Sequence, residues 1–317
     1  MKHSLATAPR CIVILLLLAG FVVAQPAAGT APAPVSAAPP RVLIVVAHPD
    51  DEFCFAATVY EITHNLGGTV DQLVITNGEG GYRYSLLAES FYGVALTDEA
   101  IGRAAIPEIR KRELLEAGRI LGVSNHFFLD QLDLRYTLDI EEVLIQHWSP
   151  GVVLPDIERR LAAGNYDFVF TLFPSPQTHG GHKAAAITAL NAVQRSAGRK
   201  AVVLGCQASR SGAETQPSWK GFESAEHPFS VLPQLFVTDR MVKFGFKDAL
   251  DYQIIANWVI AAHKSQGAFQ GAMNRVDREN FAILESGAVD EVKRTDALFH
   301  ALAEQAAHPK GVGAGKP

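Results

Sequence analysis

Cysteine is scarce. The 317-residue sequence has three, Cys11, Cys54 and Cys206, and no two of them form a Cys-x-x-Cys pair, so any metal must be held by histidine and carboxylate. A basic stripe is also missing, and the formal charge is -5, which argues against a nucleic-acid partner. No Gly-x-Ser-x-Gly elbow is present to make a serine hydrolase. The turn after the first strand-like run, "AHPDDEF", lacks the glycines that let a pyrophosphate approach a helix N-terminus, and its acids would repel phosphate. That removes a dinucleotide-binding oxidoreductase. No internal repeat is found.

What is present fits one large globular domain: 48% of the residues are hydrophobic and 19% charged. The first two dozen residues stand apart. "MKHSLATAPR" carries Lys2 and Arg10, "CIVILLLLAGFVVA" is an apolar run shorter than the ~20 residues of a spanning helix, and Val22 and Ala24 are small residues at cleavage spacing. The pattern predicts a signal peptide over residues 1–24 and export to a periplasmic or extracellular space, with no stable membrane insertion after cleavage; an uncleaved anchor is the alternative. An Ala/Pro-rich linker follows over residues 25–40, a single domain over 41–305, and a disordered tail over 306–317. Cys11 leaves with the signal. Cys54 and Cys206 read as buried small hydrophobes, with a disulfide as the alternative.

Strand-like and helix-like segments alternate along the domain. "RVLIVVA", "TVDQLVITNG", "HFFLDQLDL", "YDFVFTLFP" and "KAVVLGCQA" are strand-like. Between them, "FCFAATVYEITHNLG", "EIRKRELLEAGRILG", "GVVLPDIERRLAAG" and "HKAAAITALNAVQRSA" have helical spacing. Residues 209–229 read as loop, "SVLPQLFVTD" as an edge strand and "ALDYQIIANWVIAAHKSQ" as a C-terminal helix. The alternation predicts an α/β, Rossmann-like three-layer sandwich with a mostly parallel sheet.

In such a sheet, ligands bind beyond the carboxyl ends of the strands. Two groups of reactive residues fall there. The first is His48, Asp50, Asp51 and Glu52, just past "RVLIVVA"; the second is His179 and His182 in "SPQTHGGHKAA", just past "YDFVFTLFP". Helix capping by Asp50 or Asp51 is the plain alternative for the first group. It explains neither His48 nor three adjacent acids, which repel one another unless a cation is near. Together, His48, Asp51 and His182 supply two imidazoles and a carboxylate, the ligand count of a catalytic zinc with one position open to water. Asp50 and His179 are then left as an acid/base pair.

"AHPDDE" after an aliphatic strand, with His-x-x-His after a later one, resembles the PIG-L or LmbE-like zinc-dependent de-N-acetylases. "VITNGEGG", "IRKRELLEAGRILGV", "FFLDQLD" and "AHKSQ" extend the resemblance over residues 41 to 270. It implies a metal-dependent amidohydrolase that removes an acetyl or other acyl group from an amino-sugar-containing substrate, with a metal site at the carboxyl ends of the strands. His48, Asp51 and His182 would hold Zn2+. Asp50 would be the general base, a protonated His179 the oxyanion or leaving-group partner, and Arg110 and Asp133 the substrate contacts. An intrahelical pair with Glu113 is the alternative for Arg110. Many relatives carry an aspartate before the final histidine to orient the His179 equivalent; here that residue is Gly181. With export, the implied substrates are glycans, glycolipids or amide-bearing small molecules, on which Tyr82, Tyr84 and Phe91 could stack. A non-catalytic, metal-containing carbohydrate-binding relative is the rival reading.

Overall fold

The structure, a computed structural model, describes residues 38–212 and 219–308. The signal peptide expected over residues 1–24, the linker up to residue 37 and the tail from residue 309 lie outside the described residues. Strands β1 (Arg41–Val46), β2 (Thr69–Thr76), β3 (Asn125–Gln131), β4 (Phe168–Leu172), β5 (Val202–Ser209) and β6 (Val231–Asp239) appear in chain order. A small ribbon follows, made of β7 (Lys243–Phe244) and β8 (Leu250–Asp251), and then β9 (Arg278–Leu284). The main sheet has seven strands in the order β3-β2-β1-β4-β5-β9-β6. Its first five are parallel, and β9 runs antiparallel to both β5 and β6. This is the mostly parallel α/β sheet expected, with two corrections in detail.

The first correction is β9. "RENFAIL" mixes charge with apolar residues and gives no clean strand signal, yet it lies inside the sheet with Glu279 fully buried. The second is the helix expected at the C-terminus and running through "AHKSQ". It spans Tyr252–Ala262, with His263 to Gln266 beyond its end, and the last described helix is instead Glu291–Ala306.

Layering follows from the period-2 alternation of strand side chains. Val42, Ile44 and Val46 of β1 join one core, with Tyr252, Ala256, Val259 and Leu298 from helices Tyr252–Ala262 and Glu291–Ala306. Leu43, Val45 and Ala47 join the opposite core, with residues of helices Pro150–Gly164 and Gly180–Arg195. Val42 through Val46 are at most 1% exposed; burial of each aliphatic side chain contributes roughly 1.5–3 kcal/mol. A strand buried on both faces has to be apolar throughout, so the change to charge at residue 48 marks the place where the chain leaves the core. No described helix is long and apolar enough to cross a membrane.

Strand β1 has β2 on one side and β4 on the other, so the connections wind away from it in opposite directions. That reversal opens a crevice beyond the carboxyl ends of β1 and β4. Residues 48–51 and 175–182 leave their strands into it.

Candidate active site

Beyond β1 the chain turns through Pro49 and Asp50 into a helical stretch that starts at Asp51. Neither acid caps it in the way local sequence allowed. Asp50 makes no side-chain cap, and Asp51 Oδ2 accepts from the backbone N–H of His48 at 2.8 Å, which folds the turn back on itself. Asp50 has φ 132° and ψ -14°, a backbone region that a Cβ makes costly by about 1–3 kcal/mol.

Beyond β4, helix Gly180–Arg195 starts two residues before His182 and takes His179 as its N-cap. The two glycines are there for space. A Cβ on Gly180 would stand 2.7 Å from Asp139 O, and one on Gly181 would stand 2.9 Å from His179 Nδ1 and 3.2 Å from His48 Cε1.

The two turns bring three groups together. His48 Nδ1 and His182 Nε2 are 3.2 Å apart. Asp51 reaches His182 Nε2 with Oδ1 at 3.1 Å and His48 Nδ1 with Oδ2 at 3.6 Å. The outward nitrogens are engaged elsewhere: His48 Nε2 faces Asp133 Oδ1 at 3.6 Å, and His182 Nδ1 meets Thr178 Oγ1 at 3.0 Å. With protons on those outward nitrogens, two lone pairs and a carboxylate converge on one point, an arrangement that a cation resolves. Four ligands at the usual zinc distances stand about 3.3 Å apart in a tetrahedron, so the spacing and the donor chemistry both fit a divalent ion. His48, His179 and His182 also form a group whose ring nitrogens lie within 4.8 Å of one another. Asp51 completes a tighter set with His48 and His182 than His179 does.

Burial alone would push His48 down, but the carboxylates of Asp133 and Asp51 raise it to about 10; a cation between the donors displaces that proton on binding. Burial likewise works to raise Asp51 and Asp133, and the neighbouring imidazoles outweigh it and hold both well below the usual carboxylate range, His182 and His48 acting on Asp51 and His48 foremost on Asp133.

Asp50 is raised, mainly by desolvation, which the Arg110 guanidinium partly offsets. Arg110 Nη2 lies 3.0 Å from Asp50 Oδ2 and also donates to Pro49 O, and Nη1 donates to Gly78 O at 3.0 Å. The alternative pairing with Glu113 does not form: Glu113 accepts from Tyr92 Oη at 2.7 Å and from the N–H and hydroxyl of Ser265 at 2.8 and 2.6 Å.

His179 departs from expectation in one respect. Its Nδ1 accepts from the N–H of Gly181 at 3.0 Å, which fixes the ring proton on Nε2. Desolvation, and after it the neighbouring His48 and His182, push it down to about 3, which favours the neutral Nε2–H form of the ring. The orienting role expected of an aspartate at position 181 is filled by the backbone amide of that same position.

These residues wall a cavity of about 330 Å³ that contains His48, Asp50, Asp51, Asp133, His179 and His182. Arg110, Tyr84, Tyr136, Phe269 and Gln266 also reach it. All seven residues singled out in the sequence meet there. Of the aromatics expected to stack on substrate, Tyr84 lines the cavity, whereas Tyr82 is buried and Phe91 is exposed outside it. Tyr136 was not foreseen. Its ring lies 4.8 Å from that of His179 and is 62% exposed, on a loop that has no periodic signal. Glu52 lies in the first turn of the helical stretch and is fully buried against His263. Cys54 and Cys206 are both free thiols, and Cys206 Sγ donates to Cys54 O.

Comparison with known families gives one match to a family model, PIG-L, described as GlcNAc-PI de-N-acetylase, over residues 43–193. This chain carries a PIG-L family domain. Its matched span runs from within β1 to within helix Gly180–Arg195 and contains His48, Asp51, His179 and His182. No curated protein matches the chain. Among solved structures, the PIG-L domain and its C-terminal extension are similar to the A40926 pseudoaglycone deacetylase Dbv21, at 17% identity and TM-score 0.50, covering 80% of this chain and 100% of that one. They are also similar to N,N'-diacetylchitobiose deacetylase from Pyrococcus horikoshii, at 17% identity and TM-score 0.48, covering 78% and 84%. A third is GalB, the 4-carboxy-2-hydroxymuconate hydratase from Pseudomonas putida KT2440, at 15% identity and TM-score 0.48, covering 77% and 95%. The likeness to Dbv21 is one of fold.

Proposed function

We propose that the chain is a zinc-dependent hydrolase that removes an acetyl or other acyl group from the amide nitrogen of an amino-sugar-containing substrate. The observation that carries this reading is the convergence of His48 Nδ1, His182 Nε2 and the Asp51 carboxylate, at 3.1–3.6 Å from one another, in one cavity with Asp50 and His179. The family description, a de-N-acetylase of an N-acetylglucosamine lipid, supports the same bond and the same sugar.

When bound, a divalent ion supplies an acidified water and a Lewis acid for the amide carbonyl. The rest falls to side chains of the chain itself. Asp50, raised by desolvation and so closer to neutrality than an exposed carboxylate, accepts the proton of the attacking water. Arg110 keeps that carboxylate in place. The Nε2–H of His179 donates to the carbonyl oxygen as negative charge develops there, a contact that strengthens toward the transition state. Asp50 then returns its proton to the leaving amine, and an acid and a free amine are released. Asp133 and Thr178 hold the outward nitrogens of His48 and His182 throughout.

Metal analysis of the purified protein, with a mass-resolved screen for acetate and amine release over N-acylated sugars, tests the proposal. One zinc per chain with release of acid and amine is expected. One zinc per chain with no release from a broad amide panel supports the rival, a carbohydrate-binding relative. Export is part of the same proposal: expression of the full chain should yield a secreted form whose N-terminus lies near residue 25, as read by N-terminal sequencing.

A further inference from the structure

Glu52 is the one acid of the "PDDE" cluster that does not line the cavity. It is fully buried, and its two oxygens are both engaged. Oε1 lies 2.5 Å from His263 Nε2, and Oε2 accepts from the backbone N–H of Asp50 at 3.1 Å, with Gln72 Nε2 at 3.4 Å. His263 is also fully buried, and its Nδ1 has no hydrogen-bond partner among the described residues, so its interaction is directed at Glu52.

The peptide between Pro49 and Asp50 is therefore held at both ends. Its carbonyl oxygen accepts from Arg110, and its N–H donates to Glu52. That peptide leads into the residue with φ 132°, a conformation an L-residue leaves when nothing retains it. Arg110 also holds the Asp50 carboxylate, at 3.0 Å, so the side chain and the carbonyl share one anchor, while Glu52 is the anchor on the amide side. Without Glu52 that N–H loses its acceptor, the peptide is held at its Arg110 end alone, and the carboxylate shifts relative to the metal donors next to it.

We propose that Glu52, backed by His263, is a positioning residue: it locks the Pro49–Asp50 peptide in its positive-φ conformation and so aims the Asp50 carboxylate at the reacting water. This rests on the reading of Asp50 as the base. Neither Glu52 nor His263 touches substrate, and their contribution is geometric. A misplacement of about 1 Å at a reacting group costs on the order of 100-fold in rate.

Two substitutions of similar size separate the roles. Glu52→Gln keeps an oxygen that can accept from the Asp50 N–H; Glu52→Met fills the space without one. With zinc content measured on each purified variant, Glu52→Met is expected to keep the metal, lose about 100-fold or more in kcat, and change KM less than about threefold. Glu52→Gln should recover to within about tenfold of the parent. Crystal structures of the two variants give a reading independent of turnover: Asp50 should leave its positive φ in the Met variant and retain it in the Gln variant. Equal kcat in the two variants, or an unchanged Asp50 in the Met variant, overturns the proposal. If the parent protein hydrolyses no amide at all, the assignment of Asp50 as base falls, and the Asp50 conformation in the two structures still decides the positioning claim. Should the Met variant not fold, amide exchange in the parent decides. A protected Asp50 N–H supports the clamp, and one that exchanges freely sinks it.

Discussion

Asp51 and Glu61 lie ten residues apart on one continuous helical stretch, and both are buried, at 7% and 2% exposure. Their electrostatics are opposite. Burial favours the protonated form of each. At Asp51 the imidazoles of His182 and His48 overcome it and hold the carboxylate ionised. At Glu61 burial meets only further repulsion from Glu279, the carboxyl is pushed up to about 9, and Oε2 has no hydrogen-bond partner among the described residues. Burial by itself neutralises a carboxylate. An interior acid that stays charged marks the place where cationic or proton-bearing groups have been gathered, and here that place is the crevice beyond β1 and β4.

The comparison can be broken most severely at the donors. His182→Ala should lose both the metal and turnover, down to the uncatalysed background, whereas Asp50→Asn should keep the metal and lose about 10³-fold in kcat; metal analysis beside kinetics checks the pair. Loss of metal in Asp50→Asn would move Asp50 into the donor set.

A smaller effect is expected at Gly181, where an added Cβ would stand 2.9 Å from His179 Nδ1 and 3.2 Å from His48 Cε1. Gly181→Ala places a Cβ against the His179 and His48 rings, and should lower kcat by about 10-fold to 100-fold with the fold retained, as read by kinetics and thermal unfolding. Full activity there would show that the ring positions are looser than the geometry implies.

The remaining effect is on stability, leaves the chemistry of the crevice alone, and belongs to Glu61. Its carboxyl ordinarily titrates near 4.5 and in the fold near 9. Below that window both states carry the proton. Within it the unfolded chain releases the proton and the folded chain keeps it, so stability falls as pH rises, by up to about 1.4 kcal/mol per unit. Glu61→Gln, a permanent neutral mimic, should therefore match the parent at pH 4 and unfold at a higher temperature at pH 8. Parallel Tm curves for the two proteins across that range would show that Glu61 is ionised after all, and Asp51 and Glu61 would no longer differ.

Much of this was legible in the sequence, for a physical reason. A strand buried on both faces must be aliphatic, so the "VAHPDDE" boundary exposes the strand tip directly, and the parallel topology then places "THGGH" beside it. What the sequence did not disclose depends on long-range partners. Glu52 and His263 are 211 residues apart, and each alone has an ordinary local explanation, as a helix-start charge and as a polar residue near a helix end. Arg110 offered an equally good partner three residues along its own helix and took Asp50 instead. "RENFAIL" is hidden for a similar reason: Glu279 is a strand residue because Arg240 and the amides of Ala57 and Thr58 compensate its charge at 2.8–2.9 Å, and none of those lies nearby in sequence.

The Gly181 amide that holds His179 has a consequence for how this site tolerates mutation. A side-chain carboxylate in that role can be lost in one codon change, and the ring's tautomer with it. A main-chain N–H is common to every residue except proline. Orientation of His179 is therefore protected against chemical replacement at position 181, and what a mutation there can damage is volume. The site has exchanged sensitivity to residue type for sensitivity to residue size.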